Sequence, residues 1–268
     1  MLSRGTPPVG YEVRGTGNAV VLLHPFPFDR RLWQGLAGSL AARHQVIAVD
    51  ARGFGETPLP GPYAIADLAD DVAGLLGELG VARASVVGMS MGGYTALAFA
   101  ARYPDRVAAL VLADTRAAAD TAEVRAGRES AMNTIRSSGV DAYLTSSLPR
   151  LLSPDPPPSV LAGLRSRAES RPDSLLAGLV ALRDRPDRSR ELAAIACPTL
   201  VLCGEADQVV PLAEMRAMAD AIPGAQFVSI PAAGHLAHVE VPAPFEVTVA
   251  AFLPSGTGTH HEREARRA

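Results

Sequence analysis

A chain of 268 residues with 48% apolar and 20% charged residues is long enough for one large domain with a substantial core. Its 25 cations against 28 anions leave a net charge of −3, which gives no basic footprint for nucleic acid. Every cation is arginine, so Schiff-base chemistry, pyridoxal phosphate anchoring and the phosphate-loop lysine are excluded.

The opening residues, Met1 to Pro8, hold no apolar signal region, and no run approaches the ~20 apolar residues of a membrane span. The expectation is a soluble, cytoplasmic protein. Next, Tyr11 to Arg14 and Ala19 to Leu23 read as strands around Gly15-Thr16-Gly17-Asn18, a turn that predicts a hairpin. That glycine turn precedes the apolar strand, whereas a dinucleotide loop follows one. Further on, apolar runs at 46–49, 84–87, 107–112 and 200–202 alternate with helical stretches, among them 66–79 and 91–102. Strands buried on both faces between helices are the pattern of a mostly parallel α/β sheet.

Residues 116–194 break the alternation. They contain helix-like segments cut by Pro149, Pro154 and Pro156 to Pro158, and no convincing strand. A helical cap over the carboxyl edge of the sheet is expected there, where ligands bind in such folds. The core then comprises 1–115 and 195–254, and the polar residues 255–268 are expected to be a disordered tail. Cys197 and Cys203 share one extended run, about 20 Å apart at ~3.3 Å per residue, so they are expected to be free thiols in a reducing compartment.

The strongest chemical signal is Gly88-Met89-Ser90-Met91-Gly92, a G-x-S-x-G between a strand and a helix. So tight a turn needs glycines on both sides and lifts the Ser90 hydroxyl above the sheet edge. A serine needs a base, and His235, in a small-residue loop after the strand 228–230, is the candidate, with His238 as its rival. Of the others besides His24, His44 sits just before a strand and His260 and His261 lie in the tail, neither of which looks like a site. His235 and His238 lack a third ligand, so no metal is expected. Asp207, just past the strand 200–202, is the candidate for orienting the imidazole. Glu205 and Asp114 are the other acids at strand ends, and helix capping is the bland role for Asp114. Charge developing on a carbonyl oxygen needs backbone donors. Met91 supplies one; in Pro25-Phe26-Pro27 only Phe26 has an N–H to supply the other.

These pieces together, with Asp50-Ala51-Arg52-Gly53-Phe54-Gly55 and Gly204-Glu205-Ala206-Asp207, resemble the small, capped α/β-hydrolases over residues 9–254. The wording near Phe26, at Asp114-Thr115-Arg116 and at Gly234-His235 is most similar to 3-oxoadipate enol-lactonase-like hydrolases. The resemblance implies cofactor-free hydrolysis of a small-molecule ester or lactone through Ser90, Asp207 and His235, with Phe26 and Met91 N–H groups at the oxyanion. Two positions depart from the family: Pro25 stands where glycine is common, and Thr57, expected to be structural, where serine is frequent. Serine at the elbow separates the chain from haloalkane dehalogenases and epoxide hydrolases, which use aspartate. Carbon–carbon bond hydrolysis of a β-diketone-like substrate, haloperoxidase activity and a non-catalytic receptor are the alternatives. Leu144, Leu148, Leu151, Leu152, Leu175, Leu176 and Leu179 are candidates for apolar walls, though most of them read better as cap packing. Arg165 and Arg167 read as a solvated helix face.

Overall fold

In the computed structural model, which describes residues 1–5, 7–156 and 158–254, seven strands form one sheet. They are β1 (Tyr11–Arg14), β2 (Asn18–Leu23), β3 (His44–Val49), β4 (Ala84–Met89), β5 (Val107–Ala113), β6 (Thr199–Gly204) and β7 (Gln226–Ile230). Their order is β1-β3-β2-β4-β5-β6-β7, and only β1 runs antiparallel to its neighbour. β4 and β6 are buried along their whole length, which explains their continuous apolar sequence. The expected tail at 255–268 lies outside the described residues.

The hairpin expectation fails. β1 pairs with β3, not with β2, so β3 lies between the two sequence neighbours. The Gly15–Gly17 turn carries the chain across the start of β3. Both glycines have positive φ, and a Cβ on Gly15 would lie 2.2 Å from the Ala41 carbonyl oxygen. The glycines permit a close crossing instead of a two-residue reversal.

Helices flank the sheet: α1 (Gln34–Leu40), α2 (Ile65–Glu78), α3 (Met91–Arg102), then, after an insertion, α7 (Leu212–Ala221), α8 (Ala237–Glu240) and α9 (Pro242–Phe252). In α2, Ile65, Leu68, Ala69, Val72 and Leu76 recur at helical spacing and are all buried. Asp67 accepts the Ala64 N–H at its start. Among the described residues of 114–198, between β5 and β6, the only regular elements are helices: α4 (Ala122–Ser147), broken at Gly139, α5 (Pro158–Arg167) and α6 (Pro172–Arg183), with short 3-10 turns. Arg185 pins this insertion to the core. It is buried, pairs with Asp120 and lies 4.1 Å above the Tyr94 ring of α3. Leu144, Leu148, Leu152, Leu175 and Leu179 are buried, in keeping with a packing role, while Leu151 and Leu176 are half-buried. Arg165 pairs with exposed Asp141 at the surface. Cys197 and Cys203 are both free. Among the described residues, no helix is long and apolar enough to cross a membrane.

Candidate active site

Ser90 connects β4 directly to α3 with φ 52° and ψ −113°, a left-handed-side conformation that non-glycine residues avoid. The strain is held on both sides. Its N–H donates to the Ala113 carbonyl at 3.0 Å, and its carbonyl accepts from Tyr94 N–H at 3.1 Å and from the Thr115 hydroxyl at 2.9 Å. A Cβ on Gly88 would meet the Gly92 carbonyl oxygen at 2.2 Å, and one on Gly92 would meet the Leu23 carbonyl oxygen at 2.0 Å. Glycine is therefore a packing requirement at both positions.

Three of the candidate side chains meet above this turn. His235 Nε2 lies 2.9 Å from Ser90 Oγ, and His235 Nδ1 lies 2.8 Å from Asp207 Oδ2. Asp207 is immobilised through its other oxygen, which accepts N–H groups from Val209 at 2.6 Å and Val210 at 3.0 Å. With the Asp207 and His235 side chains 0% and 2% exposed, solvent competes little for these bonds. The neutral tautomer with its proton on Nδ1 satisfies the whole line: Nδ1–H donates to Asp207, and the Ser90 hydroxyl donates to Nε2. Such a line can pass a proton from the hydroxyl to the imidazole.

The rivals take other places. His238 is buried against Trp33, with ring centroids 4.5 Å apart, and near Phe245. Neither of its ring nitrogens has a partner among the described residues, and burial, then the neighbouring His235, pushes its pKa down to about 3. A solvent-facing role is thus excluded for it; it is a neutral core residue. Asp114 is also buried. Its Oδ1 accepts the Gly204 N–H at 2.8 Å, bracing the end of β6, and burial and the Asp207 charge hold its carboxyl well above the usual carboxylate range. It does not cap α4, whose N-cap is Thr121. Glu205 is an exposed loop residue bonded to the Ser229 hydroxyl. His44 begins β3 and is buried, whereas His260 and His261 lie outside the described residues.

Among the described residues, the N–H groups of Phe26 and Met91 have no hydrogen-bond acceptor. The Phe26 loop is braced by His24, whose Nδ1 lies 3.0 Å from the Pro25 carbonyl oxygen while its Nε2 accepts the Ala51 N–H at 2.9 Å. Burial lowers the His24 pKa, which suits an imidazole that must keep one nitrogen free to accept. The Phe26 ring packs edge-on against Phe54 and beneath Gly178 of α6, where a Cβ would come within 2.8 Å of it. Thr57 bonds the Asp50 carbonyl and the Gly10 N–H, both at 2.8 Å, a structural role as expected. The bracing roles of His24 and Thr115 are not evident from the sequence. Their signal is positional: each sits at a strand end next to a candidate residue. No cluster of His, Cys, Asp and Glu among the described residues is arranged to hold a metal. A cleft of about 530 Å³ lies near the amino ends of β5 and β6, lined by residues such as Leu97, Val107 and Ile195, at the edge opposite Ser90.

A model of the alpha/beta hydrolase fold matches residues 18–242. A thermophilic esterase from Thermogutta terrifontis is similar with a TM-score of 0.87 and 38% identity, over 92% of this chain and 94% of that one. The enol-lactonase from Burkholderia xenovorans LB400 gives a TM-score of 0.86 at 30% identity, over 94% and 99% of the two chains. A relative from Variovorax paradoxus (strain S110), "Putative carbamate hydrolase RutD", is 32% identical over 260 residues, 92% of this chain and 96% of its own.

Proposed function

The chain belongs to the alpha/beta hydrolase fold family, and on that premise we propose that it is a serine hydrolase that cleaves a carboxylic ester or lactone of modest size. The observation that carries this reading is the bonded line from Ser90 through His235 to Asp207. Ser90 Oγ attacks the carbonyl carbon as its proton passes to His235 Nε2. Asp207 keeps the imidazole in the accepting tautomer and stabilises the imidazolium. The free N–H groups of Phe26 and Met91 receive the developing oxyanion, each contributing on the order of 3 kcal/mol in sites of this kind. His235 then protonates the leaving oxygen, and water, deprotonated by the same imidazole, hydrolyses the acyl-enzyme. No cofactor takes part. Residues 116–194 act as a cap that shapes the substrate pocket over the core formed by 1–115 and 195–254. The two free thiols fit a reducing, cytoplasmic setting.

Carbamates are a second substrate class, favoured by the likeness to the RutD relative, because the same attack and protonation steps apply to their carbonyl. A panel of short-chain nitrophenyl esters, an enol-lactone and simple carbamates, run on wild type and Ser90→Ala, tests both readings. Turnover of esters or lactones by the wild type, its loss in Ser90→Ala, and labelling of Ser90 by a fluorophosphonate are expected. An unlabelled Ser90, or Ser90→Ala as active as the wild type, overturns the serine mechanism; turnover of carbamates alone replaces the first substrate class by the second.

A further inference from the structure

His235 lies in the loop between β7 and α8, and the residues on either side of it are tied to the helical insertion, Leu236 directly and Gly234 through Glu240 of α8. Gly234, before it, donates its N–H to Glu240 Oε2 at 2.5 Å. Leu236, after it, donates to the Leu151 carbonyl at 3.0 Å. The second carboxylate oxygen of Glu240 accepts from Ser153 twice, from N–H at 2.8 Å and from the hydroxyl at 2.7 Å. Gln208, the residue after Asp207, donates its side-chain amide to the Leu152 carbonyl at 2.9 Å. A three-residue strap, 151–153, therefore joins the loop of the base to the loop of the acid. The approach is close: a Cβ on Gly234 would lie 2.2 Å from Ser153 N.

We propose that Glu240 and the strap residue Ser153 are positioning residues for His235, which hold its ring nitrogen at the distance where it accepts from Ser90. This rests on the serine-hydrolase reading. A carboxylate accepting three N–H or O–H donors makes shorter, stiffer bonds than neutral groups make; one of the three comes from Gly234, the residue before His235, and the other two anchor the same carboxylate to Ser153. The Ser90–His235 contact depends on sub-ångström placement, and a misplacement of about 1 Å in such sites costs roughly 100-fold in rate. Bonds that served only to fasten the insertion would have no need to end on both sides of one histidine.

Glu240→Gln is the sharpest test. Its amide keeps one acceptor but turns an N–H donor towards the donor of either Gly234 or Ser153. Fluorophosphonate titration counts competent sites, so kcat is read per titrated site on a nitrophenyl ester, beside KM and thermal unfolding. We expect kcat per site to fall roughly 10-fold or more, with KM within about two-fold. Ser153→Ala, which removes one bond of three, should give a smaller fall in the same direction, and Ser153→Thr, which keeps the hydroxyl, should restore kcat. A role confined to stability would lower the melting temperature and the titratable fraction while leaving kcat per site unchanged; that result overturns the proposal, and Ser153→Ala decides it if Glu240→Gln does not fold. Failure of the wild type itself to label at Ser90 would instead remove the serine-hydrolase reading on which the proposal stands.

Discussion

Replacing Asp207 by Asn exchanges one oxygen for an NH2 group, and the surrounding donors dictate which end goes where. Val209 and Val210 both present N–H groups to Oδ1, at 2.6 and 3.0 Å, so the Asn oxygen must face them. Its NH2 then faces His235 Nδ1, which becomes an acceptor, and the ring proton moves to Nε2. That nitrogen, 2.9 Å from Ser90 Oγ, now donates to the hydroxyl it should deprotonate. An imidazole held in the wrong tautomer loses about 10⁴-fold in kcat, or ~5.4 kcal/mol at 1.36 kcal/mol per tenfold. Stability should change far less, because the same three hydrogen bonds are remade with Asn. The assay is kcat per phosphonate-titrated site on a nitrophenyl ester, read with the melting temperature. A variant within 10-fold of wild type, or an Asp114→Asn variant more damaged than Asp207→Asn, would refute the assignment of the acid.

The other expectations concern residues around that line. Asp114 binds its proton more tightly in the folded than in the unfolded chain, so its contribution to stability declines as pH rises above about 4, the unfolded value. Asp114→Asn should therefore leave kcat near wild type and flatten that part of the stability–pH curve, measured by urea unfolding; a loss of activity comparable to Asp207→Asn contradicts it. For His238 the sign is opposite: with the folded pKa at about 3, stability is present above about 6.5 and is lost as pH falls below it, by about 1.4 kcal/mol per unit. His238→Phe, which also removes two unpartnered nitrogens from an aromatic pocket, should be more acid-stable than wild type, and an unchanged pH slope in denaturant midpoints would exclude the idea. Gly92→Ala places a Cβ 2.0 Å from a backbone oxygen and should cost ~3 kcal/mol, a drop in melting temperature of roughly 6–12 °C by calorimetry; a drop under 2 °C would show that the elbow tolerates a side chain.

Much of the candidate site was legible because its signals are local. The elbow declares itself in five residues, and the helix expected at 91–102 matches α3 residue for residue. The helix expected at 66–79 is displaced by one residue, as helix ends often are. Asp207 and His235 stand out as candidates because each follows a strand at the same sheet edge as Ser90. What failed was non-local. Nothing in Tyr11 to Leu23 reveals that β3 will insert between β1 and β2, because the turn glycines are equally suited to a hairpin and to a crossing. The burial of His238 depends on Trp33, 205 positions away, and the bracing role of Asp114 on Gly204, 90 positions away. Periodicity and turn chemistry hold no record of such partners.

The contact of residues 151–153 with the loops of Asp207 and His235 bears on any attempt to retune selectivity by exchanging modules. A chimaera that takes its whole insertion between β5 and β6 from a homologue would import a foreign segment at the very place where the recipient's Gln208, Leu236 and Glu240 find their partners. Grafts confined instead to α4 or to α5, leaving the native stretch from Leu148 to Ser153 in place, would alter the insertion without untying these contacts.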